Sequence, residues 1–350
     1  MAGKMFKDLK IVELASVLAG PLTGSFFSEL GAEVIKIENK RTNGDITRTW
    51  KLPSEDKNAT ASAYYSAANY SKKVLLLDLT NASDYQTLIL HLKEADIVIS
   101  NFKPDSAKKL RLDYDHLKEY NETIIYAELT GFGSMDSRPA FDVVLQAETG
   151  FMYMNGEPNG NPVKMPVALI DILASHHMKE AILCAIINKL KTGKGKHIEI
   201  SLYNSALASL ANQATNWLMA GHIPEAMGSQ HPNIAPYGDL YLTKDNTFIV
   251  LAVGTDKQFI KLCSLLQLPI AGFETNEQRL MQRKILNSMI GDCFKTETAK
   301  YWSAKLERSN IPYGVVKNMK EVFQDEKSKN MLVSENIEGL EAIKVKTALI

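Results

Sequence analysis

Leu9-Lys10-Ile11-Val12-Glu13-Leu14, Gly20-Pro21, Gly31 and Glu33-Val34-Ile35-Lys36-Ile37 follow one another at the start of the chain, and their order decides the fold. The first run has the length and apolar content of a buried strand. Pro21 opens a helix, because its fixed φ and missing N–H suit a first turn, and Gly31 stops that helix. Residues 33–37 are then a second strand. A strand, helix and strand of this length predict a right-handed parallel crossover. The pattern recurs: strand 73–77, helix 85–94, strand 97–100, a Lys-rich helix near 106–110, an apolar run at 123–129 and a helical 141–150. A helix from Asp171 to about residue 191, a Gly193-Lys194-Gly195 turn and a strand at 197–202 follow. Such alternation predicts an α/β fold, with a doubly wound Rossmann-like large domain over residues 1–205.

Beyond it the sequence reads differently. A helix at 203–219 lies largely in a linker over 206–228, and regular periodicity stops at 221–238, where Gly, Pro, Asn and His cluster. A smaller α+β domain over 229–318 is expected from a strand at 248–253 and helices near 256–266, 276–294 and 298–308. Residues 319–350 form a polar return segment towards the large domain, with a last strand-like stretch at 342–350. No repeat or heptad is present.

Forty Lys and Arg balance forty Asp and Glu, so no overall field draws the chain to nucleic acid or to an anionic membrane. The three cysteines, Cys184, Cys263 and Cys293, form no CxxC pair, and Cys184 lies in an apolar stretch that reads as core. Disulfides and zinc are not expected, and a reducing cytoplasm fits. Met1-Ala2-Gly3-Lys4 does not start a signal peptide, and no run reaches the roughly 20 apolar residues of a membrane span. His176-His177 have no acid or cysteine at metal spacing, so no metal is expected. Gly20, Gly24 and Gly131-x-Gly133 do not complete a dinucleotide or P-loop signature, and no G-x-S-x-G elbow occurs.

The chemistry centres on Asp171, where Val167-Ala168-Leu169-Ile170 gives way to the long helix. A carboxylate aimed by a strand terminus and held ionised by helix N–H groups becomes a usable nucleophile. An N-cap is the competing reading, and position alone favours it. Cations gather where strands of such a sheet end: Lys36, Lys40, Arg41, Lys72-Lys73, Lys103, Lys108-Lys109 and Arg111. Converging there, they would seat a phosphorylated nucleotide. Asn101-Phe102-Lys103-Pro104 adds an amide and an aromatic ring for a heterocycle, with core packing as the alternative for Phe102.

In this order the segments resemble the class III CoA-transferases, the family of formyl-CoA, carnitine and bile-acid CoA-transferases and of 2-methylacyl-CoA racemases. The matching motifs are the two opening strands, Gly44-Asp45 with Arg48 and Trp50, Lys72-Lys73 before Leu77-Asp78-Leu79, and Asn101-Phe102-Lys103-Pro104. Gly131-Phe132-Gly133, Asp142, Thr192-Gly193-Lys194-Gly195 and His231-Pro232-Asn233-Ile234-Ala235-Pro236-Tyr237 continue the series. The resemblance implies that Asp171, after the Gly156-Glu157-Pro158 turn, carries the acyl group as an anhydride and then CoA as a thioester. It implies CoA contacts at Val17, Lys40, Arg41, Lys72, Lys73, Asn101, Phe102, Lys109 and Leu110. Phe141 and a flap at Gly228, Ser229, Gln230 and His231 would border the substrate. An acyl-CoA and a carboxylic acid acceptor are the implied partners, with no permanently bound cofactor. An intertwined homodimer is implied as well. The His231 loop resembles that of succinyl-CoA-dependent members, which points to a short dicarboxylate. A racemase is the second reading, opposed by Phe141, which stands where that branch carries His before Asp142. A non-catalytic CoA-binding protein is the third.

Overall fold

A computed structural model of the chain describes residues 5–136 and 138–349; the Met1–Lys4 reading lies outside them, as does Ile350 at the end of the expected last strand. The residues group into two compact units. The first comprises the chain up to Thr149, Met165–Asn212 and the segment from Asn330, and the second comprises Gly150–Lys164 and Gln213–Lys329.

Six parallel strands form the sheet of the first unit: β1 (Lys10–Leu14), β2 (Glu33–Asn39), β3 (Lys73–Leu77), β4 (Ile97–Ser100), β5 (Ile125–Thr130) and β6 (Lys196–Ser201), in the order β3-β2-β1-β4-β5-β6. This is the doubly wound arrangement expected from the alternation. Helix α1 (Ala19–Glu29) follows β1, a short α2 (Ala63–Ser66) precedes β3, and α3 (Ala82–Glu94), α4 (Pro104–Lys109), α5 (Tyr114–Tyr120) and α6 (Asp142–Glu148) come between the later strands. The 24-residue α7 (Leu169–Thr192) leads into β6. One sheet face is covered by a core that includes Val12, Leu14, Leu88, Leu92, Val98, Leu117 and Tyr126. On the other, α1 packs on α7, and Thr23 Oγ1 lies 3.1 Å from Ser175 Oγ in the buried seam. The order reverses between β1 and β4, so the loops after those strands diverge and leave a crevice at their carboxyl ends. Val17 is in the first loop and Asn101-Phe102 in the second.

Two sequence expectations about charge and burial are corrected here. Lys36 and Lys72 do not join a solvated basic cluster. The Lys36 side chain is fully buried in β2, in parallel register with Glu13 of β1, and its Nζ is 3.0 Å from Glu13 Oε1. Lys72 Nζ, also fully buried, donates to Glu13 Oε2 at 2.8 Å and to the carbonyls of Pro21 and Ala68. A buried acid needs such partners, and Lys36 of β2 together with Lys72, just ahead of β3, supplies them. Cys184 is exposed rather than core. Its stretch of α7 is apolar all round, but only the face of Ile182 and Ala185 turns inward, leaving Ile187 54% exposed.

The expected helix at 203–219 is two helices, α8 (Leu202–Ala208) and α9 (Ala211–Ala220), broken where Ala211 takes a φ of 47°. The second unit holds an antiparallel sheet of β7 (Tyr237–Leu242), β8 (Phe248–Ala252) and β9 (Tyr313–Val315), with α10 (Asp256–Leu266), α11 (Asn276–Met281), α12 (Arg283–Phe294) and α13 (Ala299–Arg308). The apolar period at 276–294 runs through a break at Gln282, the boundary of α11 and α12. Tyr241, Phe259, Phe294 and Trp302 lead its core, and Trp302 Nε1 donates to the Phe294 carbonyl at 2.9 Å. After β9 come the short helices α14 (Met319–Gln324) and α15 (Glu326–Lys329), then an antiparallel hairpin of β10 (Leu332–Ile337) and β11 (Leu340–Val345) that closes the first unit.

Candidate active site

Asp171 is the third residue of α7, inside its first turn, with Ala168 at the cap position. The approach through residues 161–168 is irregular, so no strand end aims the carboxylate and Asp171 is not the cap. Asp142 supplies the capping instead. Its Oδ1 accepts the Ile170 N–H at 2.7 Å and its Oδ2 accepts Gln146 Nε2 at 2.6 Å, while Gln146 Oε1 accepts the Met165 N–H at 2.8 Å. One buried acid and one buried amide of α6 therefore fix the entry into α7.

The Asp171 carboxylate has no ion pair with a described residue. Burial, with the Asp142 charge adding to it, raises its pKa from 3.8 to about 7. Burial and a neighbouring negative charge thus work against the expectation that helix N–H groups hold this carboxylate ionised. The Tyr64 phenol is held above its ordinary range first by burial and then by the charges of Asp171 and Asp142, which places it in the same field.

A cavity of about 190 Å³ brings Asp171 together with Val17, Asn101, Phe102 and Phe141. A second cavity of about 350 Å³ is lined by Arg41, Leu110, Asp78 and Thr80, and shares Ser16 and Phe102 with the first. Phe102 also packs against the sheet core, the alternative reading of this ring, while bordering both cavities. Lys40, Lys73 and Lys109 are exposed and line neither cavity. The Lys72 ammonium is consumed internally, and burial pulls its pKa down to about 7 against the attraction of Glu13. Asn101 is spent largely on the loop beside it: Oδ1 accepts the Ser16 N–H at 3.1 Å and Nδ2 donates to the Ser16 carbonyl at 2.9 Å.

In the second unit, the loop expected to act as a flap is tied down from inside. Gly228 has a φ of 63° and donates its N–H to the Gly156 carbonyl at 2.7 Å. His231 Nδ1 accepts the Asn233 N–H at 3.1 Å, which makes this ring a turn cap. Arg283 donates to the carbonyls of His231 and Ile234, Arg279 to that of Ala235 at 2.9 Å, and Asn276 to that of Asn233 at 2.8 Å.

Arg138, which no sequence motif marks, lines the Asp171 cavity with its guanidinium 3.8 Å over the Phe132 ring and paired to Asp136 and Glu148. Glu13, the partner of two lysines, is a second residue outside the expected site. The signal was present: one acid in β1 and one base in β2, each inside an apolar run.

Set beside known proteins, residues 6–348 match the family model described as CoA-transferase family III. Succinate–glutarate CoA-transferase of Agrobacterium fabrum is 37% identical over 91% of this chain and 81% of its own length. Human succinyl-CoA:glutarate CoA-transferase is 33% identical over 92% of this chain and 74% of its own. The crystal structure of a CAIB/BAIF family protein from Brucella suis superposes with a TM-score of 0.85 at 34% identity, covering 99% of this chain and 93% of that one. Among the described residues, no helix is long and apolar enough to cross a membrane.

Proposed function

The chain belongs to CoA-transferase family III, and from that premise we propose that it moves CoA between short dicarboxylic acids, succinyl-CoA being one donor, with Asp171 as the covalent carrier. The observation that carries this reading is the half-buried Asp171 carboxylate, without an ion pair among the described residues, at the wall of the cavity where the β1 and β4 loops diverge.

In the proposed sequence, an ionised Asp171 oxygen attacks the thioester carbonyl carbon. The C–S bond breaks and CoA leaves as thiolate, giving a mixed anhydride. The thiolate then attacks the Asp171 carbonyl and expels the donor acid as its carboxylate, leaving an aspartyl-CoA thioester. The acceptor carboxylate attacks that thioester, CoA leaves again, and the thiolate takes the acceptor acyl group, restoring the Asp171 carboxylate. No proton is gained or lost, and each step exchanges one activated acyl bond for another. Arg41, Leu110 and Phe102 are the proposed walls for the nucleotide end of CoA, with Lys40, Lys73 and Lys109 at the rim. Gln230 and His231 are the candidates for reading a distal carboxylate, His231 through Nε2 because Nδ1 already accepts the Asn233 N–H. Phe141 cannot move a proton, which disfavours the racemase reading. The proposal includes a homodimer working in the cytoplasm.

Incubation with succinyl-CoA followed by hydroxylamine tests the carrier: Asp171 should appear as a hydroxamate by peptide mass spectrometry. Continued transfer with Asp171 unmodified would overturn the mechanism. A panel of CoA donors and acids tests the substrate class, and turnover of long-chain thioesters far above succinyl-CoA would overturn the dicarboxylate assignment alone.

A further inference from the structure

Val17 borders the Asp171 cavity with a φ of 71°. For a β-branched side chain this left-handed conformation is strongly disfavoured, and it persists only when its surroundings impose it. The surroundings here are specific. The Ala15 carbonyl accepts Lys36 Nζ at 2.8 Å, and the Ser16 N–H and carbonyl are both held by Asn101. The Val17 N–H points at the Asp45 carboxylate, 3.2 Å from Oδ2. Three consecutive residues of the β1 loop are thus gripped by side chains from three other places in the chain.

Asp45 is itself fixed from every side. Lys36 Nζ is 3.2 Å from Oδ2, and the Thr47 N–H and Oγ1 donate to Oδ1 at 3.0 and 2.8 Å. Its backbone N–H donates to Glu38 Oε2 at 3.0 Å, and Glu38 is held by Arg48 Nε at 2.7 Å and Tyr65 OH at 2.7 Å. Behind Lys36 stands Glu13, shared with Lys72. Burial opposes charge on Asp45, but Lys36 and the Thr47 donors outweigh it and keep the carboxylate below its ordinary range. Helix α1 leaves no slack: a Cβ on Gly20 would fall 2.4 Å from the Ala15 Cβ, and one on Gly24 would fall 1.9 Å from Glu13 Oε2.

We propose that Asp45, locked by Lys36 and Thr47, is a positioning residue that holds Val17 in its left-handed conformation and thereby sets the wall of the cavity against which Asp171 meets the thioester. The buried network is a brace for one strained loop as well as a piece of core. This inference rests on Asp171 being the acyl carrier.

The test is a double-mutant cycle of Asp45→Asn and Val17→Gly, reading kcat and KM for succinyl-CoA with glutarate as acceptor. Asp45→Asn alone should lower kcat by about 10²-fold, the scale of a small misplacement at a reacting centre, with KM nearly unchanged. In the Val17→Gly background, where a left-handed residue carries no steric penalty, the same substitution should cost only about threefold, well outside the additivity of independent sites. Hydroxylamine trapping at long times should still label Asp171 fully, showing that the slow variant is folded and competent. If Asp45→Asn does not fold, Thr47→Val takes its place in the cycle, since it removes one lock on the carboxylate and leaves the charge. An additive cycle, or a fall in labelled fraction matching the fall in kcat, overturns the brace. Absence of any Asp171 hydroxamate in the unmodified protein overturns the functional reading instead.

Discussion

Asp45 and Asp171 belong to the same unit, and both carboxylates are withdrawn from water, yet their surroundings are opposite. Asp45 accepts from Thr47 and Val17 and sits beside the Lys36 ammonium, so its charge is supported at every oxygen. Asp171 has a second carboxylate for a neighbour and no ion pair among the described residues, and the adjacent Ile170 N–H goes to Asp142. A saturated acid is inert and holds shape. A starved one gains by forming a covalent bond that removes its charge, which is what acylation does. On the proposed mechanism the fold divides scaffold from chemistry with one residue type.

Removing the starved carboxylate gives the largest effect. Asp171→Asn keeps the shape and supplies no nucleophile, so transfer should fall by about 10⁴-fold or more, while calorimetric CoA affinity stays within about twofold. Substantial exchange by this variant, with deamidation excluded by intact mass, would erase the contrast between the two acids.

The pH profile probes the same contrast without mutation. On the proposed mechanism only ionised Asp171 attacks, and burial together with Asp142 raises its pKa to about 7. The logarithm of kcat/KM should climb with a slope approaching one well below pH 7 and level off above it, a change of about 50-fold between pH 5 and 7. A profile flat down to pH 5 would mean that Asp171 is as well supported as Asp45.

Stability should respond in the opposite sense to activity. The folded protein holds the Asp171 proton to about pH 7, whereas the ordinary value is 3.8. The stability this group contributes is complete below its unfolded pKa and is lost as pH rises through about 7. Asp171→Asn has no such loss, so at pH 8 it should be more stable than the parent by about 2–4 kcal/mol, and the gap should close towards pH 4. Lys72, whose amine burial pulls down to about 7, titrates in both proteins and cancels in the difference. Urea unfolding of both proteins across pH 4–8 measures the gap. A constant gap would place the cost of Asp171 in packing rather than in charge.

The sequence announced the scaffold better than the site. Strand β3 and helix α10 lie where their apolar periods put them, since short buried strands and capped amphipathic helices carry local signals. The helix break at Ala211 and the one at Gln282 were hidden because the apolar period continues through both. Asp171 was legible as a residue at the start of a helix, but its environment was not. That environment is made by Asp142 and Gln146 from a separate helix, and long-range contacts leave no spacing to read. Lys36 and Lys72 looked like surface charge for the same reason: only the strand register that pairs Glu13 with Lys36 turns them into a buried lattice.

The cations extend the comparison and give the smallest effect. Lys72 is saturated like Asp45, Arg41 lines the second cavity, and Lys109 is exposed outside both. Arg41→Ala should weaken CoA binding by about 1–2 kcal/mol, the scale of one charge-assisted hydrogen bond. Lys109→Ala, acting from the rim through solvent, should cost less than about 1 kcal/mol and fade as salt rises past physiological strength. Calorimetric titration of CoA at low and high salt separates them, because a contact inside a cavity keeps more of its strength under screening than a rim charge does. If Lys109→Ala costs as much as Arg41→Ala and resists salt equally, the nucleotide end lies over α4, and the second cavity is not its seat.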